Sequence, residues 1–288
     1  MTFQGRRINP TKFHPSQIKF YLILILISIL MLLPMLYIFS HAFKSVNELY
    51  NWPPRFFVRR PSMENFQNLL RVTSETRIPF SRYLLNSIFV SISGVGLTIL
   101  VTSLSAYGLS KLKFRGRILL FEINTLALMF VPVAVAIPRY FIIARLGLIE
   151  NFLAHILPVI TLPVALFLIK QFIDQIPNEL IESAKIDGAS EMQIYSKIIL
   201  PLIKPALATV GMLSFQIIWN DSATSATYFD DESLRTLSYF LANLVNRQEP
   251  QGQGIAAAGA LLMFVPNLIL FIILQSKVIN TMAYSGIK

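Results

Sequence analysis

Few residues in this chain of 288 could do chemistry. Cysteine is absent, which removes disulfides, thiolate metal sites, iron–sulfur clusters and thiol nucleophiles together. The three histidines, His14, His41 and His155, are too scattered to suggest a metal site and read as polar side chains near an interface. Neighbouring carboxylates occur only at Asp230-Asp231-Glu232, which reads as a solvated turn rather than an acid–base pair. The sequence contains no Gly-x-x-x-x-Gly-Lys-Ser/Thr phosphate loop. "GQGIAAAG" at 252–259 has glycines but no lysine, and its Gly254/Ala258 and Ala256/Ala260 pairs suit close helix packing, as do Ser91, Gly94, Thr98 and Thr102. The expectation is a chain that is not an enzyme and binds no metal or cofactor of its own. What remains is "ELIESAKIDGASEMQIYSKIILP", residues 179–201, with five acids or bases in its first thirteen positions and an apolar stretch on each side.

The elements around that interlude are those of a membrane protein. The chain is 54% hydrophobic and 14% charged, against about 25% charged in soluble domains. A bilayer core about 30 Å thick needs ~20 apolar residues in a helix. The runs Phe20–Phe39, Leu84–Leu109, Ile118–Ile137 and Ile255–Leu274 meet this, Phe152–Phe172 does so despite Pro158 and Pro163, and Pro205–Trp219 is a shorter sixth. The fold class is therefore an all-α integral membrane protein with six transmembrane helices. The first run exceeds the apolar length of a cleaved leader and no small-x-small site follows it, so it is expected to stay.

Six spans place both termini on one side. That side collects Arg6, Arg7, Lys12 and Lys19, the group Lys111, Lys113, Arg115 and Arg117, then Lys170, Lys185, Lys197 and Lys204, and finally Lys277 and Lys288. The opposite short loops hold only Arg139, Arg145, Arg235 and Arg247, while the long segment 41–83 carries seven more basic residues. Positive charge in short loops puts the termini, and residues 179–201, in the cytoplasm. This also accounts for the net charge of +10 without nucleic acid. Segment 41–83 is expected to be an external subdomain, with "PSMENFQNLL" a capped amphipathic helix.

Pro177 is permitted in a first turn, so a helix is expected from Asn178 to about Asp187. Gly188 sits where a left-handed residue is needed. Ser190 and Gln193 have capping-box spacing for a second helix that runs to Leu200, before Pro201. Leu180, Ile181 and Ala184 are assigned to one face. Two short helices at a fixed angle, with Ala184 beside a glycine turn, make a plug that another protein's groove could grip. Helix, glycine turn, helix also describes a DNA-binding unit, but membrane spans only about five residues away leave no room for supporting helices. An amphipathic helix lying on the bilayer surface fits the same residues.

The interlude resembles the EAA loop of permeases of ATP-binding-cassette importers: Glu-Ala-Ala, three residues, Gly, nine residues, Ile, one residue, Leu-Pro. Here Glu182-Ser183-Ala184 is followed after three residues by Gly188, after nine by Ile198, and after one by Leu200-Pro201, with Ser183 the one departure. "LLNSIFVSISGVGLTILVTSLSAYGLSKLKFRGR", "LGLIENFLAHILP", "FQIIWND" and the tail "VINTMAYSGIK" are similar to the carbohydrate, maltose-type subgroup, so that the resemblance covers roughly residues 19–288 after an N-terminal arm, 1–18. The tail lacks the family's closing glycine.

The resemblance implies a multi-pass protein of the bacterial cytoplasmic membrane, with residues 177–201 as coupling loop and 276–288 as cytoplasmic tail. It implies as partners a second, non-identical permease, two ATPases that bind ATP and Mg, an extracytoplasmic solute-binding protein and a carbohydrate. In it Glu182 makes a charged contact with an ATPase, Ala184 and Gly188 allow close approach, and Asp187 and Ser190 fix the turn, with Ala189, Ile198, Leu200 and Pro201 completing the motif. Sugar sites need amides and stacking aromatics, and Asn86, Gln216, Trp219, Asn220 and Asn267 are the span candidates, each equally suited to an interhelical hydrogen bond. A carrier driven by an ion gradient is the rival; it usually needs mid-membrane charge, and Glu122 is the one internal candidate.

Overall fold

The computed structural model describes residues 2–3, 6–7, 17–49, 51–75, 78–246 and 252–285. Most of the N-terminal arm, with His14, lies outside the described residues, as do Arg247 and the last three residues of the tail. Apart from the two-residue antiparallel strands β1 (Thr2–Phe3) and β2 (Arg6–Arg7), the described elements are helical. The chain divides into two compact units.

The smaller unit contains α1 (Ile18–Ala42), α2 (Val46–Leu49), the first turns of α3 (Glu64–Glu75) and the beginning of α15 (Gly252–Ser285). From Ile18 to Phe39 the side chains of α1 are exposed and overwhelmingly apolar. Such a helix is stable only where hydrocarbon, not water, is its solvent. Its last carbonyls, orphaned as at any helix end, are met by Asn65, fully buried, whose Nδ2 donates to those of His41 at 3.2 Å and Ala42 at 3.0 Å, and to that of Lys44 just beyond the helix at 2.6 Å. Ser62 accepts the Glu64 N–H at 3.1 Å and starts α3, as its spacing predicts. The chain between returns to the end of α1: Ser40 donates to the Phe56 carbonyl at 2.7 Å and Lys44 to that of Arg55.

The larger unit is built around α4 (Phe80–Lys111). One face of α4 carries Ser87, Ser91, Gly94, Thr98, Thr102, Ser103 and Ala106, all buried, at successive spacings that keep them on one stripe. Small side chains let neighbouring backbones come close. A Cβ on Gly94 would stand 2.8 Å from Ile218 of α12 (Lys204–Trp219), and one on Gly211 of α12 3.3 Å from Ile99. After α4 come α5 (Arg117–Ala127), α6 (Ala136–Arg145), α7 (Leu153–Ile160) and α8 (Pro163–Asp174).

Among the described residues three helices are long and apolar enough to cross a membrane, α1, α4 and residues 252–275 of α15; counting each bent pair as one crossing raises this to five. One pair is α7 with α8, bent by 42° at Thr161-Leu162. Pro163 has no N–H to give, and Thr98 donates to the carbonyl of Val159, four residues before it, at 3.1 Å. The other joins the helical run Glu191–Leu202 to α12 at 78°.

The expected single helix Ile118–Ile137 is not observed. The chain leaves the helix after Ala127, passes through turns and re-enters at Ala136. Pro132 cannot donate and disfavours the α region for the residue before it, which breaks the run although it is largely apolar.

In the smaller unit a Cβ on Gly254 would lie 2.4 Å from Asn65 Oδ1 and 2.7 Å from its Cγ. Because that amide is held by the end of α1, it cannot step aside. Gly254→Ala is expected to cost about 1–3 kcal/mol, read as a lowered Tm of the detergent-solubilised protein. Gly96→Ala, where a Cβ meets nothing, should leave Tm unchanged or raise it.

Candidate functional site

The interlude folds as two short helices about a glycine. The first, α9 (Asn178–Ile186), follows Pro177 and ends one residue earlier than expected. Gly188 has φ +80° and the turn is a Schellman motif: its N–H reaches the Lys185 carbonyl at 3.0 Å and the Ala189 N–H reaches that of Ala184 at 2.9 Å. No atom lies within 4 Å of a Cβ at position 188, so the chain itself requires glycine there for its backbone conformation alone. Ser190 then caps α10 (Glu191–Ile194) through a complete capping box, Ser190 Oγ accepting the Gln193 N–H at 3.3 Å and Gln193 Oε1 the Ser190 N–H at 2.8 Å. Ser183 bonds back to the Glu179 carbonyl at 2.8 Å, so its extra hydroxyl is satisfied within α9.

The second helix does not stop before Pro201. It widens into a π turn over Tyr195–Ile199, with the Leu200 N–H donating to the Tyr195 carbonyl, and continues as α11 (Leu200–Leu202). Widening shifts the hydrogen-bond register by one residue just before the proline, which has no N–H and would clash in a tighter ladder. Ile203 ends the run, and α12 begins at Lys204.

An apolar seam holds this knob to the bundle. Ile176, Ile181, Ile194, Tyr195 and Ile199 are buried with Ala106 and Tyr107 of α4 and with Ile169 and Ile173 of α8, while Ala184, Ala189, Ile198 and Leu200 pack at its margin. Leu180 departs from expectation. It is half exposed, because it lies about 100° around the helix from Ile181, and the face that turns inward is Ile181 and Ala184.

Polar ties run alongside the seam. Tyr107 donates to Glu191 Oε2 at 2.6 Å, and Lys185 pairs with Glu191 Oε1 at 2.6 Å. Lys111 donates to the Ile176 carbonyl at 2.6 Å and to Asn178 Oδ1 at 2.9 Å, Ser103 and the Tyr195 hydroxyl lie 2.7 Å apart, and Ser110 bonds Asp174. Asp174 also pairs with Lys170 at 2.6 Å.

The outward surface of the knob is exposed. Glu182, Asp187 and Gly188 are exposed, and so are Ile186 (86%) and Met192 (63%), two apolar residues that sequence reasoning passed over although both flank the glycine turn. Asp187 makes no side-chain hydrogen bond among the described residues; Gly188 and Ser190 set the turn without it. A cleft of about 820 Å³ opens beside α9, with Lys111, Arg117, Glu182 and Lys185 among its lining residues.

The polar span candidates come together only in part: Trp219 and Asn267 share the Met263 carbonyl, whereas Asn86 bonds elsewhere. Asn86 is buried and its Nδ2 donates to the carbonyls of Ser233 at 2.8 Å and Arg235 at 2.9 Å, holding the chain between α13 (Ala223–Tyr228) and α14 (Leu237–Asn246). Trp219 is also buried, its Nε1 on the Met263 carbonyl at 3.1 Å. Gln216 and Asn220 are exposed, one turn apart on α12, with Asn220 donating to the Gln216 carbonyl at 2.7 Å. Asn267, half-buried on α15, donates to the Met263 carbonyl at 3.1 Å. The acidic trio, expected to be solvated, is in part organised: the backbone N–H groups of Asp230 and Asp231 reach the carboxylate of Glu150, itself at φ +61°.

The bent, small-residue helix bundle with its knob has a counterpart among solved structures. It superposes with a TM-score of 0.80 on a crystal structure of a bacterial ABC transporter involved in the import of the acidic polysaccharide alginate, at 22% identity, covering 93% of this chain and 99% of the other. Residues 94–276 match the binding-protein-dependent transport system inner membrane component family, and the chain belongs to it. The galactooligosaccharides transport system permease protein GanQ of Bacillus subtilis (strain 168) is 31% identical over 271 residues, 93% of this chain and 94% of GanQ. The trehalose transport system permease protein SugB of Mycobacterium tuberculosis (strain CDC 1551 / Oshkosh) is 28% identical over 89% of this chain and 92% of SugB.

Two outcomes follow for the knob. Gly188→Ala forces a side chain into a left-handed conformation at a cost of about 1–2 kcal/mol, and Gly188→Asn, which tolerates that region, should cost less; amide exchange across residues 178–202 reads both. Bonds from Lys185 and Tyr107 hold the Glu191 carboxyl below its ordinary value of 4.5. Its contribution is therefore complete above 4.5 and is lost as pH falls through the lowered folded-state value. Protection factors in the knob, corrected for the intrinsic exchange rate at each pH, should fall in acid, and Glu191→Gln should weaken that dependence.

Proposed function

We propose that this chain is a permease subunit of an ATP-driven, binding-protein-dependent sugar importer, forming half of the translocation path. The observation that carries the reading is the knob at 178–202: a rigid, capped turn rooted in the bundle by an apolar seam, with Glu182, Ile186, Gly188 and Met192 facing outward. Exposed apolar side chains beside a glycine turn are a docking surface. The occupant is the cleft of a cytoplasmic ATPase that binds ATP and Mg, one of two in the assembly. Closure of the ATPases moves the knob, and with it α8 and α12.

The chain crosses the cytoplasmic membrane six times, residues 118–137 supplying the third crossing as a broken segment. Both termini and the 276–288 tail lie in the cytoplasm, and segment 41–83 lies outside. A second, non-identical permease completes the path, and an extracytoplasmic binding protein delivers the solute. Relatives named for galactooligosaccharide and trehalose transport support a carbohydrate as that solute. Gln216, Asn220 and Asn267 are the residues that offer amides to its hydroxyls, while Asn86 and Trp219 shape the path by fixing the backbone around it.

The test uses cells expressing the chain with its neighbouring subunits, and labelled trehalose and galactooligosaccharide as probes. Glu182→Lys and Gly188→Trp are expected to abolish ATP-dependent uptake while the chain still inserts in the membrane. Uptake at the unaltered rate in both variants would overturn the reading.

A further inference from the structure

By chain connection the knob belongs to α8 and α12. The bonding pattern points to a third helix. Four side chains in the last turns of α4 reach toward the coupling region: Ser103, Tyr107, Ser110 and Lys111. Spacings of four and three residues put Ser103, Tyr107 and Ser110 on one face of the helix, with Lys111 about 100° further round from Ser110. At the centre stands Glu191, whose two carboxylate oxygens are divided between elements. Oε1 takes the Lys185 ammonium from across the glycine turn at 2.6 Å, and Oε2 takes the Tyr107 hydroxyl from α4 at 2.6 Å.

One carboxylate thus fixes the angle between α9 and α10 and ties both to α4. The hydroxyl of Tyr107 is delivered from a buried ring, packed 5.7 Å from that of Tyr195, so it has little freedom to follow a moving partner. Bonds to a charged group are among the stronger ones available to side chains. A pull on the knob is therefore resisted, and passed on, by α4.

We propose that Glu191 and Tyr107 form a latch that makes the knob and the cytoplasmic end of α4 one rigid body, so that ATPase closure drives α4 together with α8 and α12. Both are positioning residues, acting through the helices they join and not on solute or nucleotide. The proposal rests on the coupling role given to the knob above, and its test separates the two ideas.

The chain has no cysteine of its own, so paired spin labels attach to it only at introduced positions, and cysteines of the partner subunits are replaced beforehand. In the assembled complex, Leu104→Cys with Ser196→Cys measures α4 against the knob, and Ser196→Cys with Ala226→Cys measures the knob against the far end of the bundle. Between the nucleotide-free and ATP-plus-vanadate states, the knob-to-far-end distance is expected to change and the α4-to-knob distance to stay constant. Adding Glu191→Gln or Tyr107→Phe should let the α4-to-knob distance shift or broaden on ATP trapping. Transport per ATP hydrolysed should fall about tenfold, and the double variant should be no worse than either single one.

The latch is overturned if the α4-to-knob distance already changes in the unsubstituted pair, or if both variants leave it constant and coupling intact. A knob-to-far-end distance that ATP does not alter would instead sink the coupling reading itself. A variant that lost its fold would show altered distances without nucleotide, which the ATP-free spectrum detects.

Discussion

Helices in hydrocarbon gain nothing by hiding apolar surface from one another, so the seam along α4 has to be held by close contact and by hydrogen bonds. The rest of the larger unit depends on that seam. Ser87, Ser91, Gly94, Thr98, Thr102, Ser103 and Ala106 give α4 a face almost without bulk, and α12 comes near enough for Gly94 and Gly211 to have no spare room. The same stripe supplies hydroxyls where neighbouring backbones need them. Thr98 serves the carbonyl left free by Pro163, which lets the α7–α8 crossing bend without an unsatisfied group in an apolar medium.

Both ends of α4 also carry polar anchors, and they hold different things. At its start Asn86 donates to the carbonyls of Ser233 and Arg235, Arg82 also reaches Ser233 at 3.1 Å, and Ser87 accepts the Leu237 N–H at 2.8 Å. At its end Ser103, Tyr107, Ser110 and Lys111 hold the knob and the end of α8. A helix of this length, buried along one side and bonded at both ends, behaves as a strut. Compliance is left to the broken segments: the bend at Thr161-Leu162, the turns at 128–135, and the π turn that meets the 78° corner before α12. Packed helices that slide or hinge at such breaks are an ordinary way of turning a local push into a larger rearrangement.

A division of labour between hydropathy and stereochemistry runs through the chain. Apolar length marked α1, α4 and α15, yet failed at Ile118–Ile137, where one proline outweighs a largely hydrophobic run. In the opposite direction, Pro201 looked like a stop and is not one, because a π turn absorbs it. Proline forbids a particular hydrogen bond; whether the helix ends depends on whether neighbours can rearrange to do without it.

The amino-acid sequence by itself determined the membrane class, the glycine turn at 188, the capping box of Ser190 and Gln193, and the small-residue stripe of α4. All of these are local: they follow from allowed dihedrals, from side chains within one turn of their partners, or from helical periodicity. Only the tertiary structure decided that Asn86 and Trp219 hold backbone, that Leu180 faces outward while Ile181 faces in, and that Tyr107 meets Glu191 across 84 positions of chain. A polar side chain carries no mark of its partner. Which carbonyl or carboxylate it meets is set by how bent helices come to lie beside one another, and that is a property of the packed bundle.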